Sequence, residues 1–182
     1  PVTRDGKVVG IVSESDLFTM QRLSIRHVSS GIRAAQDEAA LVMSAQQIRQ
    51  FARHLIAQGV AARQMTQLIS HLNDLLTERL VHMLAATHKV DMDQACWLAF
   101  GSEGRSEQTI STDQDNGLVF VSEQPDQDRP RWLGFALAVN EALDRCGYPL
   151  CKGNVMASNP ECCLTLQEWS QRFENWLERG AP

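Results

Sequence analysis

The sequence predicts a mixed α/β (α+β) chain in which helices come first and a small mixed sheet follows. Three patterns carry this. Apolar residues recur at three- and four-residue steps between Leu41 and Leu84. Two short apolar runs stand at 95–100 and 118–121, and capping signals frame two more helices after them. The 182 residues amount to roughly one domain and a fraction, at about 150 residues per domain. Apolar residues at 43% and charged residues at 21% are globular values, which excludes disordered and fibrous classes.

The N-terminal piece, residues 1–23, opens with an Asp5-Gly6 hairpin-type turn feeding the β-branched run Lys7-Val8-Val9-Gly10-Ile11-Val12. Ser13, three residues before Asp16 and the apolar Leu17-Phe18, reads as a helix opening. So short a piece cannot bury a core of its own. A start at Pro1 rather than Met leads us to expect a longer parent protein.

Residues 24–92 read as a helical linker, helical from about 36 to 88. Val42, Ile48, Phe51 and Leu55 form one stripe, and Met65, Ile69, Leu72, Leu76, Leu80 and Leu84 form a second. Gly59 separates them as a helix terminator, giving a helical hairpin with facing stripes. The long stripe also suits a homodimer interface. From 93 to 182 the pattern becomes α/β. Ala95-Cys96-Trp97-Leu98-Ala99-Phe100 has the continuous apolar character of a buried strand, and Leu118-Val119-Phe120-Val121 is a second. Asp128 before Arg129-Pro130 reads as the cap of a helix ending at Gly147, and Thr165 with Glu168 as a capping box for a last helix running to Gly180.

Several function classes fall away. A net charge of −5 argues against a nucleic-acid binder that lives on phosphate contacts. No stretch approaches the roughly 18 uninterrupted apolar residues of a membrane span, and the start lacks a signal-peptide core. The five cysteines, Cys96, Cys146, Cys151, Cys162 and Cys163, include no CxxC and stand far from the histidines. That pattern suits reduced thiols, hence a cytoplasmic location, and not zinc.

The chemistry concentrates in Gly101-Ser102-Glu103-Gly104-Arg105-Ser106-Glu107 and Thr112-Asp113-Gln114-Asp115-Asn116-Gly117. Gly101 and Gly104 permit close backbone approach to a ligand, amides at the start of a short helix suit an anion, and Arg105 offers a cationic fork for phosphate. Asp113 and Asp115, two apart as they enter the second strand, would project from one face, and a divalent cation would relieve their repulsion. A polar turn feeding a strand is the plain alternative. A calcium loop fails on spacing, because twelve positions counted from Asp113 end on Gln124 rather than Glu.

These two blocks resemble the signature of the DNA-polymerase-β-like nucleotidyltransferase superfamily, with Gly-Ser ending one strand and Asp-x-Asp opening the next. More narrowly, they resemble the nucleotidyltransferase family that accompanies CBS domains in bacteria, related to the uridylyltransferases of nitrogen-regulatory proteins. Lys152-Gly153-Asn154-Val155-Met156-Ala157-Ser158-Asn159-Pro160 and the Trp169 helix are similar to that family's next block. Residues 1–23 resemble the closing strand and helix of a CBS domain.

The resemblance implies a polymerase-β-like core that moves a nucleoside monophosphate from an NTP, ATP or UTP, to a small-molecule or regulatory-protein acceptor, releasing pyrophosphate. Asp113 and Asp115 would bind Mg2+ or Mn2+ and carry catalysis, while Gly101, Ser102, Gly104 and Arg105 would hold the nucleotide. Glu107, Thr112, Asn116 and Lys152 would support them. An adenine nucleotide at the complete CBS region would regulate the enzyme, with Ser13 and Asp16 as ribose contacts, although a helix cap explains that pair equally well. The superfamily's third carboxylate stands on a later strand. Glu161 and Glu168 lie in no apolar strand pattern, so we expect that acid beyond residue 182. Without it the chain would instead be a non-catalytic nucleotide-sensing or interaction module.

Overall fold

The computed structural model describes residues 1–13, 24–110 and 112–180. Strands β1 (Val2–Arg4) and β2 (Lys7–Gly10) pair antiparallel across Asp5 and Gly6, whose positive φ angles of 51° and 74° make the expected tight turn. The helix opening read after Ser13 falls on residues outside those described.

Among the described residues three helices follow, one more than the hairpin anticipated. Helix α1 (Ile25–Ala34) is capped by Ser24 and buries Val28 and Ile32. Helix α2 (Glu38–Ala57) starts at Asp37, whose carboxylate accepts from the Ala40 amide at 2.8 Å. Helix α3 (Ala62–His88) carries the second stripe inward, with Leu72, Leu76 and Leu80 fully buried against α1 and α2. The Arg79 guanidinium donates to the terminal carbonyl of Ala35, at 3.0 Å from Nε and 2.6 Å from Nη2, closing the α1–α2 corner.

Beyond a one-turn 3-10 segment (Met92–Gln94) comes a three-stranded sheet in the order β3-β4-β5. Strand β3 (Ala95–Ala99) runs antiparallel to β4 (Asn116–Phe120), in the register Ala95 opposite Phe120 and Ala99 opposite Asn116. β3 is an edge strand, so its continuous apolar run is only half-buried and Cys96 faces solvent, contrary to the buried strand expected. Strand β5 (Cys163–Thr165) lies parallel to β4 and was not foreseen, because three residues show no periodicity. It carries no acid.

Helix α5 (Pro125–Arg145) begins well before the Asp128 cap expected, since Pro125 fits the first helical position and starts the helix there. Asp128 instead accepts from the Ser122 hydroxyl at 2.6 Å. Helix α6 (Leu166–Arg179) has the predicted capping box, with Thr165 and Glu168 bonding each other reciprocally. Burial alone would raise the Glu168 carboxyl. The Thr165 amide, Arg129 and the Thr165 hydroxyl override it and hold the group below its usual range.

One hydrophobic core runs from α1 through α3 to the sheet and α5. Trp132 stacks on Phe120 with ring centroids 5.8 Å apart. Tyr148 donates to Asn73 at 2.7 Å, and Arg145 pairs with Glu38, so polar bonds also tie the helices to the sheet side. Among the described residues no helix is long and apolar enough to cross a membrane. Leu76, fully buried at the centre of this core, sets its cohesion. Leu76→Ala is expected to cost about 2–5 kcal/mol, read as a lower urea midpoint at unchanged slope.

Candidate active site

The site grows from the backbone between β3 and β4. The Phe100 amide donates to the Asp115 carbonyl at 2.8 Å, extending the ladder one step past β4. On the other side, the Gln114 amide reaches Pro149 O at 3.0 Å and the Asn116 amide reaches Val155 O at 3.1 Å. The aspartates therefore lie just before the strand, not inside it, yet they share its alternation. Gln114 and Asn116 are buried, Asp113 is exposed and Asp115 half-exposed.

A network of buried amides holds that register. Asn140, from the middle of α5, donates to Gln114 Oε1 at 2.8 Å and to Asn116 Oδ1 at 2.9 Å. Gln114 Nε2 donates to the carbonyls of Asn140 and Tyr148, at 2.9 and 2.8 Å. The Ala157 amide donates to Asn116 Oδ1 and the Ser158 amide to Asn140 Oδ1, at 2.8 and 3.0 Å. Asn116, read as a supporting site residue, is thus fully buried and works through this network.

Around Asp115 the packing is close. Gly101, at φ 52°, opens the one-turn helix α4 (Gly101–Gly104), and a methyl group on it would collide with Asp115 Oδ2. The Cys151 thiol donates to Asp115 Oδ1 at 3.3 Å. A Cβ on Gly104 would stand 2.6 Å from the Ala99 carbonyl oxygen, so α4 folds directly back on the end of β3.

The chain matches the model of the family described as Putative nucleotidyltransferase DUF294 over residues 46–182. It belongs to this family. No curated protein and no solved structure matches it. The matched span contains the whole arrangement above, from Gly101 to the Trp169 helix.

Glu103 is a residue of this candidate site that the sequence analysis left without a role. Burial, reinforced by the charges of Asp74 and Asp115, pushes its carboxyl up to about 7. Asp74, on α3, also stands above its ordinary value through loss of water, partly offset by His71. Asp74 had no signal in sequence, being one polar position on a long helix. Glu103 lines a narrow crevice with Asp113, Gln114 and Tyr148, and it also feels the charge of Asp115.

The remaining predicted residues spread out. Arg105 and Glu107 form an exposed ion pair at 2.8 Å and face an open space shared with Arg63 and Gln67, which neither aspartate lines. Ser102 is half-buried, and its carbonyl accepts from the Glu107 amide at 2.8 Å. Thr112 donates to Thr109 O, and Lys152 is exposed in its loop. Glu161 pairs with Arg172 and Glu168 with Arg129, so neither acid is available to a site. Among the described residues, no three His, Cys, Asp or Glu side chains gather to hold a metal.

Two tests follow from this geometry. Glu103 is held above its unfolded value of about 4.5, so its protonated form favours folding. That contribution is present below pH 4.5 and is lost as pH rises towards 7. Glu103→Gln should therefore melt higher than wild type at pH 8, by a margin on the order of 2 kcal/mol, and equally at pH 4. Gly104→Ala, which presses on backbone, is expected to cost about 2 kcal/mol or more in a thermal melt. Gly101→Ala should cost about 1 kcal/mol or more, from the left-handed φ of 52° and the displacement of the Asp115 carboxylate it forces.

Proposed function

We propose that this DUF294 chain is a magnesium-dependent nucleotidyltransferase that moves a nucleoside monophosphate from ATP or UTP to a nucleophile on a small molecule or protein. The carrying observation is the pair of outward carboxylates, Asp113 and Asp115, pinned between buried amides. Among the described residues neither forms an ion pair, so both are uncompensated oxygen donors. Two carboxylates together with substrate phosphates are a usual donor set for Mg2+, and Mn2+ shares the preference.

The chain's own part is positioning. Asp113 and Asp115 would hold the ion, which supplies charge neutralisation for the triphosphate when bound. The lack of a side chain at Gly101 lets the backbone of α4 come close against the Asp115 carboxylate, while Arg105, paired with Glu107, faces a separate opening. An acceptor oxygen bonds to the α-phosphorus while the bond to the bridging oxygen breaks, and pyrophosphate leaves with that electron pair. Glu103, which shares a crevice with Asp113, would take the acceptor's proton. The CBS-like character of residues 1–23 supports regulation by an adenine nucleotide bound outside this site in a longer protein.

One observation favours a second reading, a nucleotide-sensing or interaction module without catalysis. The two aspartates lack a third ligand among the described residues, and β5 brings no acid.

A thermal melt with each NTP, with and without magnesium, separates the two. Ligand at 100 times its Kd should add about 2.7 kcal/mol to wild type. An Asp113→Asn/Asp115→Asn variant should lose that shift while melting near wild type alone. A shift that ignores both magnesium and the variant, or no shift with any nucleotide, would overturn the transferase reading.

A further inference from the structure

A cavity of about 340 Å3 opens between α3 and the free edge of β3, within the size range of small-molecule sites. One wall is helical. Asp74, Glu78 and Val81 follow one another at helical spacing along α3 and line it together. The other wall is Met92, then Ala95 and Trp97 of β3, with Glu103 at the end nearest α4. Its lining thus holds three carboxylates and one histidine, His82, with no lysine or arginine.

No salt bridge engages Asp74, Glu78 or Glu103 among the described residues. Asp74 and Glu78 are exposed at the mouth and Glu103 is half-buried, so the lining presents a negative field that a bound cation neutralises. Trp97 adds an aromatic face to the wall. The cavity adjoins the aspartates, since Glu103 and Thr77 border both it and the crevice containing Asp113.

We propose that this cavity is the acceptor subsite, and that the acceptor is a small, partly apolar molecule carrying a cationic amine and an oxygen. The acceptor role rests on the transferase reading above; the cation site does not. Asp74 and Glu78 take the ammonium group, and Val81, Met92 and Trp97 cover the apolar body. That placement brings the acceptor alongside Glu103 and leaves Asp113 and Asp115 to the nucleotide.

Three probes of one shape and different charge test it: phenylethanolamine (cationic), styrene glycol (neutral) and mandelate (anionic). Binding is followed by NMR through the Trp97 indole N–H, assigned with Trp97→Phe. Phenylethanolamine should bind at least tenfold more tightly than styrene glycol, with mandelate weakest. An Asp74→Asn/Glu78→Gln variant that melts near wild type should cut the preference to under threefold. Equal binding of the three, or none, overturns the proposal on wild type alone. With NTP and magnesium added, phenylethanolamine should bind without displacing the nucleotide, and displacement would overturn the acceptor role. A chain that binds phenylethanolamine but no nucleotide would overturn the transferase reading and the acceptor role together, leaving the cation site standing.

Discussion

Three buried amide side chains, Gln114, Asn116 and Asn140, fix where the two aspartates point. Each has little or no contact with water, so each must find its partners inside the protein. They find them in one another, in two backbone carbonyls and in the amides of Ala157 and Ser158. Such a network has few alternative arrangements, because an unpaired buried amide costs more than a paired one gains. A slip of one residue before β4 would turn the aspartates inward and strand the amides in water. The register of the site is thus set from behind, by α5 and the 149–158 loop, and not by the residues that face a ligand.

The front of the site is an electrostatic problem without an internal solution. Burial and the charges of Asp74 and Asp115 raise the cost of ionising Glu103, and among the described residues no lysine or arginine pairs with these three, whereas nearby arginines are engaged elsewhere. Arg105 holds Glu107, Arg129 holds Glu168, and Arg79 closes a helix corner. The protein spends its cations on structure and leaves the site negative. Two kinds of visitor suit such a field, a metal ion escorting phosphates on one side and an organic cation on the other.

Much of this was legible beforehand. The stripes of α2 and α3, the Asp5-Gly6 turn and the Thr165/Glu168 cap each follow from local chemistry that tertiary contacts reinforce. The alternation that exposes Asp113 and Asp115 was readable too, since it needs only a strand nearby. What escaped depended on distant partners. Strand β5 exists because β4 offers it a ladder, and α1 packs because α2 and α3 cover it. Asn140 looks like any polar residue on a helix until Gln114 and Asn116 arrive opposite it. Glu103 reads as a surface acid until α3 brings Asp74 beside it. The start of α5 was misplaced for a local reason, two prolines competing for the same role.

The course of α1 has a practical meaning for anyone drawing boundaries on this chain. The family match begins at Gln46, in the middle of α2. The folded unit does not begin there. Val28 and Ile32 on α1, with Leu41 and Ala45 on the first half of α2, are sealed from solvent within the same core as Leu72 and Leu76. A fragment trimmed to the matched residues would carry a bared leucine seam along α3, a surface prone to self-association. Similarity in sequence marks out where the chemistry is shared, whereas the packing marks out how much chain must travel with it.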